Sequence, residues 1–266
     1  MDLSKPKVMG ILNVTPDSFY AHSRKMELEA ILKAATEMVE QGVDIIDIGG
    51  YSSRPGADDV PLSEELKRIE EPVRKLREQF PTIAISIDTF RSQVAERALK
   101  LGADIVNDIS GGQLDERMYD LLQEVKVPYI MMHMKGTPQT MKQLNQYDDM
   151  LKEMMSYFAK KIENLTSRGV VDIVIDPGFG FAKDRSQNFE LLHSLEYFKF
   201  LERPILAGLS RKSMIFKSLN ISQGEALNGT SVLNTVALQK GASILRVHDV
   251  RPAVEAIKLL DLAKQI

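Results

Sequence analysis

The sequence predicts an α/β protein, a single-domain (β/α)8 TIM barrel spanning residues 1–266. Three observations lead there. Short apolar runs alternate with amphipathic patterns eight times, each run is apolar throughout rather than at every second residue, and no Pro/Ser-rich or low-complexity linker divides the chain. Strands apolar on both sides belong to a parallel sheet covered on both faces. A doubly wound open sheet is the competing architecture. It usually carries a G-x-G-x-x-G fingerprint after its first strand, and ILNVTPDSF (11–19) has none.

VMGILNV (8–14) is the first strand and brings Asn13 to its end. A helix follows over Leu28–Glu40, where Leu28, Ile31, Leu32, Ala35, Met38 and Val39 recur at i, i+3, i+4 and i+7 as one apolar stripe. QGVDIIDIG (41–49) is the second strand, with Asp47 near its end. Helix 64–79 leads to IAISIDT (83–89) and Asp88, and helix 92–100 leads to LGADIVNDI (101–109) with Asn107 and Asp108. Helix 115–125 precedes YIMMHM (129–134) with His133, and helix 148–167 precedes RGVVDIVID (168–176) with Asp176. After helix 187–201 comes ILAGLS (205–210), running into Ser210-Arg211-Lys212. Helix 225–240, strand KGASILRVH (240–248) with Arg246 and His248, and helix 251–264 complete the set. The segments at 41–49, 101–109, 168–176 and 240–248 share one grammar. A helical pattern stops at Gly42, Gly102, Gly169 or Gly241, and glycine there supplies the left-handed residue that lets a helix end.

Composition narrows the function. Hydrophobic content of 44% and charged content of 27% are ordinary for a soluble globular protein. A formal net charge of −3 creates no field for nucleic acid or an anionic membrane. Cysteine is absent, which rules out disulfide staples and thiolate catalysis and fits a cytoplasmic protein. The apolar run near the N-terminus is broken by Asn13 and Pro16, too short and polar for a secretory or spanning segment.

Every predicted strand delivers a polar group at its C-terminal end, the face on which barrel enzymes build their sites. Singly, each has a plain structural alternative. Asp47 serves as a cap or loop brace as readily as a functional group, Asp108 as an outward-facing brace, and His133 as a packed, hydrogen-bonded histidine sooner than a ligand. Eight strands in eight favour a site. The histidines at 22, 133, 193 and 248 form no H-x-H or H-E-x-x-H pair, so zinc hydrolysis has no support. Ser210 lacks a recognisable His and Asp arrangement for a nucleophilic triad.

Non-covalent binding is what remains. In VIDPGFGF (174–181), Asp176 ends an apolar strand beside a loop with no neutralising side chain. A lone buried carboxylate is costly unless something hydrogen-bonds to it. Its two oxygens match the two parallel donors of a planar N–H/NH2 edge. Arg246 and His248 end the eighth strand just before a helix, and an arginine beside a helix N-terminus suits a phosphate. A salt bridge from Arg246 to a neighbouring strand-end Asp is the alternative.

At these residues the chain resembles the dihydropteroate synthase family. MGILNVTPDSF (9–19), IDIGGYSSRPGA (46–57), SIDTFR (86–91), IVNDISGG (105–112), MHMKGTPQTM (132–141), IDPGFGFAK (175–183), LSRKS (209–213) and ILRVHDV (244–250) are similar to its strand-end motifs, in order and over nearly the whole chain. The resemblance implies a pterin-binding barrel and a transferase that joins 4-aminobenzoate to 6-hydroxymethyl-7,8-dihydropterin pyrophosphate. It implies that Asp88, Asn107, Asp176 and Lys212 hold the pterin. Asn13, Ser53, Arg246 and His248 would hold the pyrophosphate, with Mg2+ on Asn13 and the phosphate oxygens. Phe19, Ser53, Arg54, Phe181, Ser210 and Lys212 would surround the aminobenzoate, where sulfonamides compete. A homodimer is implied as well.

Two loops depart from the family pattern. Tyr20-Ala21-His22-Ser23 stands where Ser-Asp-Gly-Gly is usual, and Ser53 replaces a threonine while keeping the hydroxyl. Losing two glycines restricts a loop expected to close over the aminobenzoate. That bears on second-substrate binding, turnover and sulfonamide sensitivity, and not on pterin binding. It also motivates the rival expectation of a non-catalytic pterin-binding paralogue. A pterin-dependent methyl carrier on a similar barrel is disfavoured, because it would leave the SRK and RVH anion site idle.

Overall fold

Eight parallel strands pair in chain order and close on themselves in the computed structural model, which describes residues 1–14, 21–51, 59–137 and 139–263. The strands are β1 (Lys7–Asn13), β2 (Ile45–Gly49), β3 (Ala84–Asp88), β4 (Ile105–Asp108), β5 (Tyr129–Met132), β6 (Ile173–Asp176), β7 (Ile205–Ala207) and β8 (Ala242–Val247). Closure comes from β8 pairing β1 over Lys7↔Ile244 to Gly10↔Val247. The helices between them are α1 (Ala21–Glu40), α2 (Leu62–Gln79), α3 (Ser92–Lys100), α4 (Met118–Val125), α5 (Met150–Ser167), α6 (Arg185–His193), α7 (Ser213–Leu219), α8 (Leu227–Gln239) and α9 (Val250–Ala263). This is the predicted (β/α)8 barrel. None of the described helices is long and apolar enough to cross a membrane.

Side-chain parity decides what faces inward. Met9, Ile45, Ile105, Ile130, Val174, Leu206 and Ile244 form a buried plug inside the barrel, with Ala84 against it. Successive strand residues alternate sides, so the positions two further on share the plug's face, one layer nearer the strands' C-terminal ends. Those positions are Ile11, Asp47, Ser86, Asn107, Met132, Asp176, Gly208 and Arg246, five of them polar. One more step of two reaches Asp88 and His248. Asp108 has the opposite parity and braces its own loop, accepting from Ser110 N (2.7 Å), Gly112 N (2.8 Å) and the Tyr129 hydroxyl (2.8 Å).

The outward faces carry the larger core, where strand residues such as Ile87, Val106 and Ile175 belong with Leu76, Val94, Leu122 and Phe158. Phe158 is fully buried and meets Tyr157 and Phe198 edge-on at 5.2 and 5.9 Å. Phe158→Ala should cost about 3–5 kcal/mol in urea unfolding, since it removes a large side chain from a site that cannot fully collapse.

The four expected helix-ending glycines sit at positive φ, at +89° (Gly42), +108° (Gly102), +79° (Gly169) and +103° (Gly241). Three stretches differ from the sequence expectation, the first being α1, which begins at Ala21 rather than Leu28. The stripe over 187–201 is two elements, α6 and a 3-10 turn at Leu195–Leu201. Leu195, Phe198 and Leu201 recur every third residue, the 3-10 period, and the first two are buried. β7 is followed by α7 before α8, and seven residues are too few to display a repeating stripe.

Candidate functional site

Arg246 is the hub of the inward layer. Its Nε donates to Asp47 Oδ2 at 2.7 Å and its Nη2 to Asp88 Oδ2 at 2.6 Å. Asn107 Nδ2 donates to the same Asp47 oxygen at 3.0 Å. Asp47 is therefore neither a helix cap nor a loop brace. It is 1% exposed and ties Asn107 to Arg246 across the barrel mouth. The salt bridge left open for Arg246 in the sequence is present, and to two carboxylates. Asp47 Oδ1 and Ser86 Oγ, on paired positions of β2 and β3, are buried without a hydrogen-bond partner among the described residues.

The electrostatics follow from crowding these charges above an apolar plug. Burial pushes the Asp88 carboxyl up to about 7 against the pull of Arg246, and Asp47, Glu65 and Asp108 add to the rise. Burial works against the Arg246 charge as well, but Asp47 and Asp88 overcome it and raise its pKa above the ordinary value. Burial raises Asp176, with Lys212 and the Gly178 N–H opposing the rise. Burial lowers Lys212 to about 8, with Asp176 resisting and Arg246 assisting.

Asp176 ends β6 and turns back on its own loop, where Gly178 N donates to Oδ1 at 2.8 Å. The expectation that Asp176 has no partner within the chain is corrected by that bond and by the nearby charge of Lys212. Gly178 has φ +71°, and a Cβ there would collide with the His133 carbonyl, so this position requires glycine. Lys212 leads into α7, donates Nζ to the Phe179 carbonyl and stands 4.9 Å over the Phe181 ring. Asp88, Asn107, Asp176, Lys212 and Arg246 are thus linked by contact or charge at one end of the barrel, with Asp47 bridging Asn107 to Arg246.

The rim is built where β7 and β8 end. Ser210 Oγ accepts from His248 N at 3.1 Å and lies 3.0 Å from His248 Nδ1. Arg211 adopts φ +53° and forks onto Asp249 through Nε and Nη2 at 2.8 and 2.9 Å, tying the two loops together. Asn13 is exposed at the end of β1, the strand adjoining β8. Phe19, Ser53, Arg54 and Tyr20 lie outside the described residues, while Ala21, His22 and Ser23 begin α1. His133 is the packed histidine, buried edge-on against Tyr157 at 4.9 Å. Burial and then Lys183 lower its pKa to about 2. Among the described residues no group of three His, Cys, Asp or Glu could hold a metal ion.

Sequence reasoning missed Lys183, which is buried beneath the Asp176 loop. It also missed a buried pair on the outer side of the mouth, where Glu65 accepts from Thr89 Oγ1 (2.7 Å) and Arg91 Nη1 (2.6 Å). The only sequence signal for Lys183 is its position directly after GFGFA.

The sequence model of the pterin binding enzyme family matches residues 9–248. The chain is 40% identical over 263 residues to the dihydropteroate synthase of Escherichia coli (strain K12), covering 98% of this chain and 93% of that protein. The Yersinia pestis dihydropteroate synthase solved with a sulfonamide drug complex superposes with a TM-score of 0.93 at 36% identity, covering 100% and 97% of the two chains. The Clostridium difficile dihydropteroate synthase solved in the presence of pteroic acid has a TM-score of 0.91 at 40% identity, covering 98% and 97%.

Proposed function

Because this chain belongs to the pterin binding enzymes, in the dihydropteroate synthase family, we propose that it condenses 6-hydroxymethyl-7,8-dihydropterin pyrophosphate with 4-aminobenzoate. The products are 7,8-dihydropteroate and pyrophosphate. The observation that carries this reading is the inward layer of Asp88, Asn107, Asp176, Lys212 and Arg246 above a closed apolar plug. A flat bicyclic ring fits such a floor. Asp176 and Asn107 meet its 2-amino/N3 edge, Lys212 its carbonyl side, and Asp88 a ring N–H.

The reacting carbon is a methylene on an electron-rich reduced ring, so it tolerates positive charge as pyrophosphate departs. Catalysis is then mainly stabilisation of the leaving polyanion by preorganised charge. Asn13, Ser53, Arg246 and His248 are the groups assigned to it, beside the N-terminus of α9. Arg246 acts twice, bracing Asp47 and Asp88 through Nε and Nη2 and facing phosphate with the rest of its fork. Phe19, Ser53, Arg54, Phe181, Ser210 and Lys212 are assigned to the aminobenzoate. Its aromatic amine is nucleophilic when neutral, so no strong general base is required.

Magnesium suits this set as a passenger of the substrate. One exposed amide oxygen, on Asn13, matches a cation that keeps most of its water and binds chiefly through phosphate oxygens. When bound it would neutralise part of the departing charge.

The reading further takes residues 1–266 as one pterin-binding domain acting in the cytoplasm, where a chain without cysteine is at home. Exposed Phe189, Tyr197, Phe200, Leu219, Leu227 and Val232 lie on the adjoining α6, Leu195–Leu201 turn, α7 and α8, an apolar surface that supports a homodimer. Light scattering should give a dimer mass for the wild type and a monomer mass for Phe200→Asp.

Purified protein, Mg2+, the dihydropterin pyrophosphate and 4-aminobenzoate together should release pyrophosphate and form dihydropteroate. Saturable dihydropterin binding with no product above a heat-killed control would leave a pterin-binding paralogue instead.

A further inference from the structure

Lys183 is a buried cation that the reaction described above does not use. Its side chain folds back under the Pro177–Ala182 turn, and Nζ meets three acceptors: the carbonyls of Gly178 (3.1 Å) and Phe181 (3.0 Å) and His133 Nδ1 (3.3 Å). Three acceptors match the three protons of an ammonium. Burial keeps His133 neutral, and against an ammonium, which can only donate, its Nδ1 is the acceptor.

The turn that Lys183 grips is the one that shapes the pocket wall. Gly178 N holds Asp176 Oδ1, the Phe179 carbonyl receives Lys212 Nζ, and the Phe181 ring faces Lys212. Its backbone is unusual at three places, with Gly178, Gly180 and Ala182 at φ +71°, +79° and +48°. Ala182 has a Cβ and gains nothing from that conformation, so contacts must hold it. The Tyr147 hydroxyl bonds the Ala182 carbonyl at 3.0 Å, and Lys183 bonds carbonyls near both ends of the turn.

We infer that Lys183 is a positioning residue for pterin recognition: its ammonium locks the turn that sets Asp176 against the ring. This rests on the dihydropterin reading of the pocket. Burial, with Lys212 and Lys135 assisting and Asp176 resisting, brings Lys183 down to about 7. The groups that face it are therefore Asp176 on β6, Lys212 before α7, and His133, Lys135 and Tyr147 from the segment after β5. Above that pH a neutral amine has two N–H groups for three acceptors, and the lock loosens.

Lys183→Met keeps the length and removes the charge. By calorimetry with 6-hydroxymethyl-7,8-dihydropterin, Kd should rise about tenfold or more in a variant whose circular dichroism matches the wild type. At saturating substrates kcat should change by less than about threefold, whereas the KM for 4-aminobenzoate, to which Phe181 on the same turn is assigned, should rise together with the Kd. The wild-type advantage in Kd should shrink as pH rises from about 6 to about 8. A variant that binds the dihydropterin within about twofold of wild type, or an advantage independent of pH, overturns the lock. Should the variant fail to fold, amide exchange in the wild type decides. Protection of residues 178–183, corrected for intrinsic rates, should fall over the same pH range while β3 and β4 stay constant, and equal protection overturns the inference. Wild-type protein that binds no dihydropterin overturns the pocket reading itself, a result distinct from the other outcomes.

Discussion

Arg246→Ala should cost about 3–5 kcal/mol of folding stability, because it leaves Asp47 and Asp88 buried beside each other without their shared cation. The loss should depend on pH, and the sign can be worked out. Asp88 titrates near 7 in the folded protein against an ordinary value of 3.8, so between these values the native state binds more protons than the unfolded chain. Stability from this group is full below the lower value and declines as pH rises toward the upper one. Removing the guanidinium raises Asp88 further and extends the decline to higher pH. Urea unfolding should therefore find the variant nearer to wild type at about pH 5 than at about pH 8. In ligand binding, affinity for the pyrophosphate ester should fall more than affinity for the bare pterin. Equal losses would mean that Arg246 only braces the pocket.

Asp176→Asn should weaken dihydropterin binding by about 1–3 kcal/mol, roughly 5- to 150-fold in Kd, with little change in stability. The asparagine oxygen can still accept the Gly178 N–H, so the turn keeps its local bond. What changes is the outer edge, where an NH2 group now opposes a ligand donor and the charge that assists Lys212 is gone. Calorimetry with the same ligand measures this. A variant that binds as tightly as wild type would remove Asp176 from the recognition edge.

Much of the architecture was legible before any coordinates, because barrel strands and helix-ending glycines obey local rules. Gly42, Gly102, Gly169 and Gly241 mark their turns by conformation alone. Asp88, Asn107 and Asp176 were found by position at strand ends, and counting by twos from the plug separates inward Asn107 from outward Asp108. A salt bridge from Arg246 to a strand-end Asp was legible as an alternative, but its two partners were not. Asp47 and Arg246 are 199 residues apart, and only ring closure reveals that one cation serves two carboxylates. Lys183 was hidden for a different reason. A lone lysine in a loop is ordinarily solvated, and its burial depends on carbonyls that bend toward it only in a turn with three left-handed residues. The short α7 left no trace because seven residues give a single pair of turns.

A crystal structure of this protein with dihydropterin pyrophosphate and Mg2+ tests the central claim most directly. The bicyclic ring should lie over the plug with its 2-amino/N3 edge bonded to Asp176 and Asn107, and the pyrophosphate should reach toward Asn13 and His248. A ring bound elsewhere, with the Asp47, Asp88, Arg246 and Asn107 network intact and Asp176 still bonded only to Gly178, would contradict it.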